Sequence, residues 1–350
     1  MTEFEVGETI SSWLERQMLY ASLDGININF KGVRSLLDSQ ARTDVDYYSN
    51  TELSELISAL PYAPLDIYSR SRPKAEFMLA PSLGRVNFCP TCVKSDMKTV
   101  KTAVWREAWS FGWYVICETH KTKICSLGLS LIRSTEHRAT QACRIVVDQE
   151  HQQAIAASAS LNRSKSEVAS AALLSRLDSE IVNLALLLQR RIIVLVACEE
   201  RIAGPELAVI HDLFSLALRS HVHYLEPRPF CFQIAKKITG RDFSIERKEF
   251  KGAGNIFSAH IEIKEPYPRL LALAIISFLL GLPGVERRWA RVSILLGYMG
   301  MLIPKDRRIL YLLVAGTPEI GGRRWFESRV QNYPTELRVL CKRFTNNSEL

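Results

Sequence analysis

Four residues stand at spacings that suit a tetrahedral metal ion. Cys89 and Cys92 bracket Pro90-Thr91, and Cys117 and His120 bracket Glu118-Thr119. Zinc takes four soft or borderline ligands, and each C-x-x-C or C-x-x-H knuckle turns two of them toward one point. Three thiolates and one imidazole fill the shell and leave no position for a reactive water. The expected site is therefore structural, with one zinc per chain, and the bound cluster would carry a charge of about −1. Lys94, Lys121 and Lys123 stand close enough in sequence to offset it. A thioredoxin-like redox pair is an alternative for Cys89-Pro90-Thr91-Cys92, and it would require the pair to open a helix after a strand. A chance grouping of buried cysteines is another. The matched Cys-x-x-His favours metal. Cys125 and Cys143 have no close-spaced companion and read as buried thiols, although either could replace one ligand.

Such knuckles need elements to present them. Residues 93–116 separate the two pairs and leave room for a turn and a helix or strand, with Phe111–Ile116 patterned as a strand. Trp105, Trp109 and Trp113 lie in this interval. A small metal module has little core of its own, so these rings are expected to pack over it rather than serve as a base-stacking platform.

Upstream, Ile10, Trp13, Leu14, Met18 and Ala21 recur at helical spacing, with Thr9, Ser11 or Ser12 as the cap. Val33, Leu36 and Leu37 form a second short apolar face. Leu53, Leu56, Ile57 and Leu60 form a third, capped by Asn50 or Thr51 and stopped by Pro61. Downstream the pattern predicts helices at 167–201, 205–221, 228–239, 267–282, 289–302 and 305–315, with a strand at 257–264. Residues 152–166 read as a linker or a surface helix. Leu270–Leu282 and Val292–Ile303 read as a buried helical hairpin. The expected fold is mainly α: an N-terminal helical, helix-turn-helix-like module (1–80), a small zinc-binding module (81–146) and a C-terminal helical domain (147–350).

Composition narrows the function. At 47% hydrophobic and 23% charged residues, the chain is that of a folded protein. No apolar run reaches the roughly 18 to 20 residues that span a bilayer, and the first residues lack the pattern of a signal peptide, so a soluble cytoplasmic protein is expected. The net charge of +8 is unevenly spread. Residues 1–66 hold four basic and eleven acidic side chains (−7), residues 67–123 ten and four (+6), and residues 286–343 twelve and five (+7). Ends of opposite sign suit different partners. Phosphate contacts need well-placed cations. The candidates near the carboxy terminus are Arg287, Arg288, Arg291, Lys305, Arg307, Arg308, Arg323 and Arg324, for nucleic acid or an acidic partner. No phosphate-binding lysine loop, G-x-S-x-G elbow or H-E-x-x-H helix occurs, so a non-enzyme is expected. His221 and His223 alternate, but with no carboxylate nearer than Glu226 they read as surface or helix-end side chains.

The run Gly7-Glu8-Thr9-Ile10-Ser11-Ser12-Trp13-Leu14-Glu15-Arg16 resembles the opening of the TniQ family. So do Phe88-Cys89-Pro90-Thr91-Cys92, the Trp105-Arg106-Glu107-Ala108-Trp109 segment and Cys117-Glu118-Thr119-His120, in the same order. The resemblance covers about residues 5–130. It implies a target-selection subunit of a bacterial transposon. Such a protein is a non-catalytic adaptor between a target-recognition complex, either a CRISPR effector with guide RNA or a DNA site, and an AAA+ ATPase that recruits the transposase. DNA and a homodimer are further expected partners; a zinc-containing DNA-binding regulator is the alternative. Many relatives carry paired cysteines for a second zinc, whereas only isolated Cys125 and Cys143 follow His120 here.

Overall fold

In a computed structural model of the chain, the described residues are 3–5, 7–23, 46, 54, 77–80, 85–127, 138–159, 165–198, 200–221, 228–245, 256–258, 263 and 265–345. They are mainly helical, with eleven α-helices and one two-stranded antiparallel ribbon. Backbone contacts divide the chain into two compact units, 1–158 and 159–350, so the first helix and the cysteine segment belong to one unit. The helices expected around Val33–Leu37 and Leu53–Leu60 lie outside the described residues, as does His223. The strand expected at 257–264 also does, apart from Phe257, Ser258 and Ile263.

The first unit opens with α1 (Ile10–Leu23), where Thr9 Oγ1 accepts from the Ser12 amide at 3.2 Å and so caps the first turn. Its buried face carries Ile10, Trp13, Leu14 and Gln17. β1 (Asn87–Phe88) pairs with β2 (Cys125–Ser126) in the register Asn87 to Ser126 and Phe88 to Cys125. Directly after β1 comes α2 (Pro90–Thr99), followed by a 3-10 turn at Glu107–Ser110 and, later, α3 (Arg138–Ala159). Phe111–Ile116 forms no ladder. Single bridges tie its ends, Phe111 to Leu79 and Ile116 to Lys123, while turns around Phe111 and Tyr114 break the pairing between them.

The second unit is built on α4 (Lys165–Ala197), α5 (Glu200–Ala217), α6 (Phe230–Thr239), α7 (Pro266–Leu279), α8 (Val285–Tyr298), α9 (Arg307–Ala315), α10 (Gly322–Val330) and α11 (Thr335–Thr345). Leu177, Ile181, Leu184, Leu188, Ile192 and Leu195 repeat along one buried face of α4, as an amphipathic helix requires. α7 is buried all round except at Tyr267, so it is the central helix of this core. α7 and α8 both pack chiefly against α4 rather than chiefly against each other. The hairpin pattern thus marks two helices that share a third as their main neighbour. Core and hairpin faces look alike in sequence, and the length of α4 decides between them. Phe278 of α7 does stack on Trp289 of α8, with ring centroids 4.9 Å apart. Residues 152–159 extend α3, and α10 and α11 are additional helices beyond the predicted set. Tyr311, Phe326 and Phe344 join α9, α10 and α11, at 5.4–6.2 Å between rings. Gly322 allows α10 to approach α9, since a Cβ there would lie 2.2 Å from the Ala315 carbonyl oxygen. No described helix is long and apolar enough to cross a membrane.

Candidate metal centre and its supporting clasp

Local backbone chemistry presents both knuckles. Cys89 is the N-cap of α2: its Sγ accepts from the Cys92 amide at 3.4 Å, and Pro90 fills the first helical position, where an N–H is not needed. One turn of helix then brings Cys92 back over Cys89. The second knuckle is a tight reversal. The Cys117 amide donates to the Thr122 carbonyl and the Lys121 amide to the Cys117 carbonyl, each at 2.8 Å. Lys121 takes the left-handed conformation, with φ of 54°, to close that turn.

The four donors converge. Their ligand atoms all lie within 4.8 Å of one another, and the three cysteines are buried while His120 is half-buried. Cys92 Sγ lies 3.7 Å from Cys117 Sγ. His120 Nδ1 lies 3.7 Å from Cys89 Sγ, 3.2 Å from Cys92 Sγ and 3.6 Å from Cys117 Sγ. A tetrahedral ion with metal–sulfur bonds of about 2.3 Å and metal–nitrogen bonds of about 2.0 Å requires edges of about 3.5–3.8 Å. The donor set fits that shell, with Nδ1 as the imidazole ligand. The crowding also shows in proton competition. Hydrogen bonds from Cys89 and Cys92 hold the Cys117 thiol far below its ordinary range, and hydrogen bonding to Cys117 and Cys89, together with burial, pushes Cys92 far above it. The cysteines outside the cluster behave differently. Burial alone raises Cys231 and lifts Cys341 to about 12, as expected of inert core thiols.

The redox alternative is met in one respect, since Cys89 and Cys92 do open a helix after a strand. The converging Cys117 and His120 distinguish the site from a simple dithiol. Cys125 sits in β2 and Cys143 on α3, and among the described residues no second group of three or more such side chains comes together.

Two of the three expected charge partners of the cluster are engaged elsewhere. Lys94 pairs with Glu150, and Lys121 with Glu118 at 2.7 Å. The cation that electrostatically favours the Cys92 thiolate is Arg106. Asp96, in α2, holds its guanidinium by two bonds of 2.7 and 2.8 Å, and the group lies 5.1 Å from the Trp109 ring centre. Trp105, Trp109 and Trp113 are buried at 5, 1 and 5% exposure. They form core, with Trp105 and Trp109 edge to face at 5.5 Å, so they offer no stacking platform.

The Gly7–Arg16 run has a structural role that its spacing did not reveal. Arg16 and Glu8 form a buried pair at 2.7 Å, with side chains 1 and 0% exposed. Glu8 also accepts from Ser12 Oγ at 3.1 Å and from the Glu5 amide at 2.9 Å, and Arg16 donates to the Glu3 carbonyl at 2.7 Å. Ser12 Oγ in turn accepts from the Trp105 amide at 2.8 Å. The Thr9 amide donates to the Trp105 carbonyl at 2.9 Å and the Glu107 amide to the Gly7 carbonyl at 2.8 Å. Ser11 binds Asp46 through its amide (2.7 Å) and hydroxyl (2.9 Å), and Asp46 lies 3.8 Å from the Arg85 guanidinium. The motif is therefore a clasp that fastens α1 to the tryptophan segment between the knuckles. A cluster of Glu, Ser and Arg at helical spacing was the available signal, but its partner segment at Trp105 is about 90 residues away in sequence.

The carboxy-terminal cations are not equivalent. Arg288 and Arg291 both bind Glu180 of α4, at 3.2 and 2.8 Å. Arg307 pairs with Glu286 and lies 5.3 Å from the Phe278 ring centre. Arg323 pairs with Glu327 at 2.8 Å. Arg287, Lys305, Arg308 and Arg324 are exposed, and Arg287, Lys305 and Arg324 form no ion pair among the described residues. His221 is buried at 8% exposure, not a surface residue, and its amide bonds the Ile245 carbonyl at 2.8 Å.

The first unit has a clasped helix and a Cys3His cluster, and the described elements of the second are helical, so the class defined is a mainly helical protein with a candidate metal centre. The TniQ family model matches residues 2–124, which include the whole clasp and all four donors. Over that region the chain is similar to the TniQ family, a family with a transposon-associated targeting function. No curated protein and no solved structure matches the chain.

Proposed function

We propose that the protein is a non-catalytic adaptor in targeted DNA transposition, linking a target-recognition complex to an AAA+ ATPase and its transposase. The TniQ match over residues 2–124 carries this reading. We further assign zinc as the ion held by Cys89, Cys92, Cys117 and His120. Three sulfur donors and one nitrogen donor suit zinc, and four protein ligands leave no open position, so bound zinc would supply folding free energy rather than reaction chemistry.

The uneven charge supports two faces with different partners, one for the target-recognition complex and one for the ATPase or DNA. The test is reconstitution with the transposase and the AAA+ ATPase. Targeted insertion should require this chain, and the chain should co-purify with the ATPase. Co-purification with a CRISPR effector and guide RNA would make the targeting RNA-guided; sequence-specific binding to a duplex would assign it to a DNA site. Specific DNA binding with no effect on insertion would instead support the zinc-containing regulator. If the exposed cations Arg287, Lys305 and Arg324 touch duplex phosphates, each charge removed should make the salt slope shallower by about 0.9.

A further inference from the structure

Ten large apolar side chains stand exposed among the described residues, and six of them fall between Ile294 and Leu313. Ile294 and Tyr298 lie on α8, at 49 and 76% exposure, Leu302 in the connection at 91%, and Ile309, Leu312 and Leu313 on α9 at 40–53%. Arg287, Arg291, Ile294 and Tyr298 recur along one outward stripe of α8, opposite the buried Val285, Trp289, Val292 and Leu296. On α9 the outward Ile309, Leu312 and Leu313 oppose the buried Leu310, Tyr311 and Val314. The connection is fastened back onto α8: Trp289 Nε1 donates to the Pro304 carbonyl at 2.8 Å and Ser293 Oγ to the Ile303 carbonyl at 2.6 Å. Leu302 is therefore held outward by a fixed backbone while its neighbour Ile303 is buried. Concentrated exposed apolar surface of this kind marks a contact site.

The surrounding charge indicates the partner. The acids of this stretch are Glu286, which takes Arg307, and Asp306, which accepts from the Ile309 amide at 2.9 Å to cap α9. Arg287 and Lys305 remain exposed with no ion pair among the described residues. The bonds from Trp289 and Ser293 to residues 303–304 and the Glu286–Arg307 pair hold this stretch along α8, so the exposed apolar side chains there stand among cations. A nucleic-acid backbone would use the cations but leave the leucines and isoleucines unburied. A helix with apolar residues at i, i+3, i+4 and i+7 and acidic residues beside them satisfies both. A second copy meeting this face with its own α8–α9 face would set two groups of cations against each other.

We propose that the α8–α9 face docks an acidic amphipathic helical segment of a protein partner. This proposal does not depend on the transposition reading. The full chain should be titrated with a synthetic helical peptide carrying Leu at i, i+3, i+4 and i+7 and Glu elsewhere. Controls are a scrambled peptide, a version with Lys in place of Glu, and a random-sequence DNA duplex. The acidic amphipathic peptide is expected to bind about tenfold more tightly than either control peptide, and Leu302→Ser with Ile309→Ser, or Arg287→Glu with Lys305→Glu, should each weaken it about tenfold. Because these side chains are exposed, the unfolding midpoint should not fall. Absence of peptide binding would overturn the proposal, as would peptide binding indifferent to the Leu302 and Ile309 changes. So would duplex binding that ignores the apolar pair, or a dimer in sedimentation that the apolar pair dissolves.

Discussion

Residues 1–158 and 159–350 differ in how they bury polar groups. In the first unit three matched sets stand out, the four candidate metal donors around one point, Glu8 with Arg16 and Ser12, and Asp96 with Arg106, while Asn87 Oδ1, Trp105 Nε1 and Ser110 Oγ are buried with no hydrogen-bond partner among the described residues. In the second unit the core is apolar along α4 and α7, and its buried charges are unevenly matched. Asp212 on α5 receives Arg329 and Tyr333 and lies 3.4 Å from His211. Arg269 on α7 is 3% exposed, and its Nε and Nη1 find no hydrogen-bond partner among the described residues. One unit is specified by a few directional interactions, the other by volume and pattern. Single-residue changes should therefore be severe and selective in the first, and graded in the second.

Metal removal should show the widest gap between the units. Chelation, Cys92→Ser or His120→Ala should unfold the first unit, since structural zinc contributes on the order of 10 kcal/mol, while the helices of the second persist. Proteolysis followed by mass spectrometry would locate the loss, and elemental analysis should find about one zinc per chain in the wild type. Cys198→Ser, at an exposed thiol, should leave the zinc content unchanged. Glu8→Ala comes next. It removes the carboxylate from a buried Arg16 and should cost about 3–5 kcal/mol in urea unfolding. A loss below 1 kcal/mol, on the scale of an exposed pair, would show that the clasp is not a specifying element.

In the second unit, burial alone would raise the Asp212 carboxyl, but hydrogen bonds from His211, Arg329 and Tyr333 bring it below the ordinary carboxylate value. A depressed folded pKa stabilises the fold above the unfolded value, near 3.9, and that stability is lost as the pH falls through the folded value. Asp212→Asn should cost about 2–3 kcal/mol at neutral pH, with the gap from wild type closing below about pH 4 in acid titrations followed by circular dichroism. Arg269→Met should act in the other direction. Burial lowers this guanidinium to about 10, so it is still charged at neutral pH, and its removal should stabilise the unit by about 1–2 kcal/mol. The smallest effect belongs to Arg323→Ala, which breaks an exposed i,i+4 pair with Glu327 and should change the midpoint by less than about 0.5 kcal/mol.

The sequence by itself pointed to the Cys3His cluster, because C-x-x-C and C-x-x-H are local geometries: two intervening residues bring both side chains to one side whatever lies beyond. It also determined the helical periods of α1, of α4 through α6, and of α8 and α9, since burial on one face imposes a 3.6-residue repeat, while α7, buried nearly all round, was legible as an apolar run bounded by Pro266 and Gly281. Tertiary structure alone decided the rest. That Glu8, Ser12 and Arg16 clasp Trp105, that Arg106 rather than Lys94 or Lys121 acts on the thiolates, and that α7 and α8 both lean chiefly on α4 all depend on pairings across tens of residues. The cations near the carboxy terminus show the same division. Composition marked eight as equivalent, but Glu180, Glu286 and Glu327 take four of them, because a salt bridge depends on which acid the fold brings within about 4 Å and not on how many bases a segment holds.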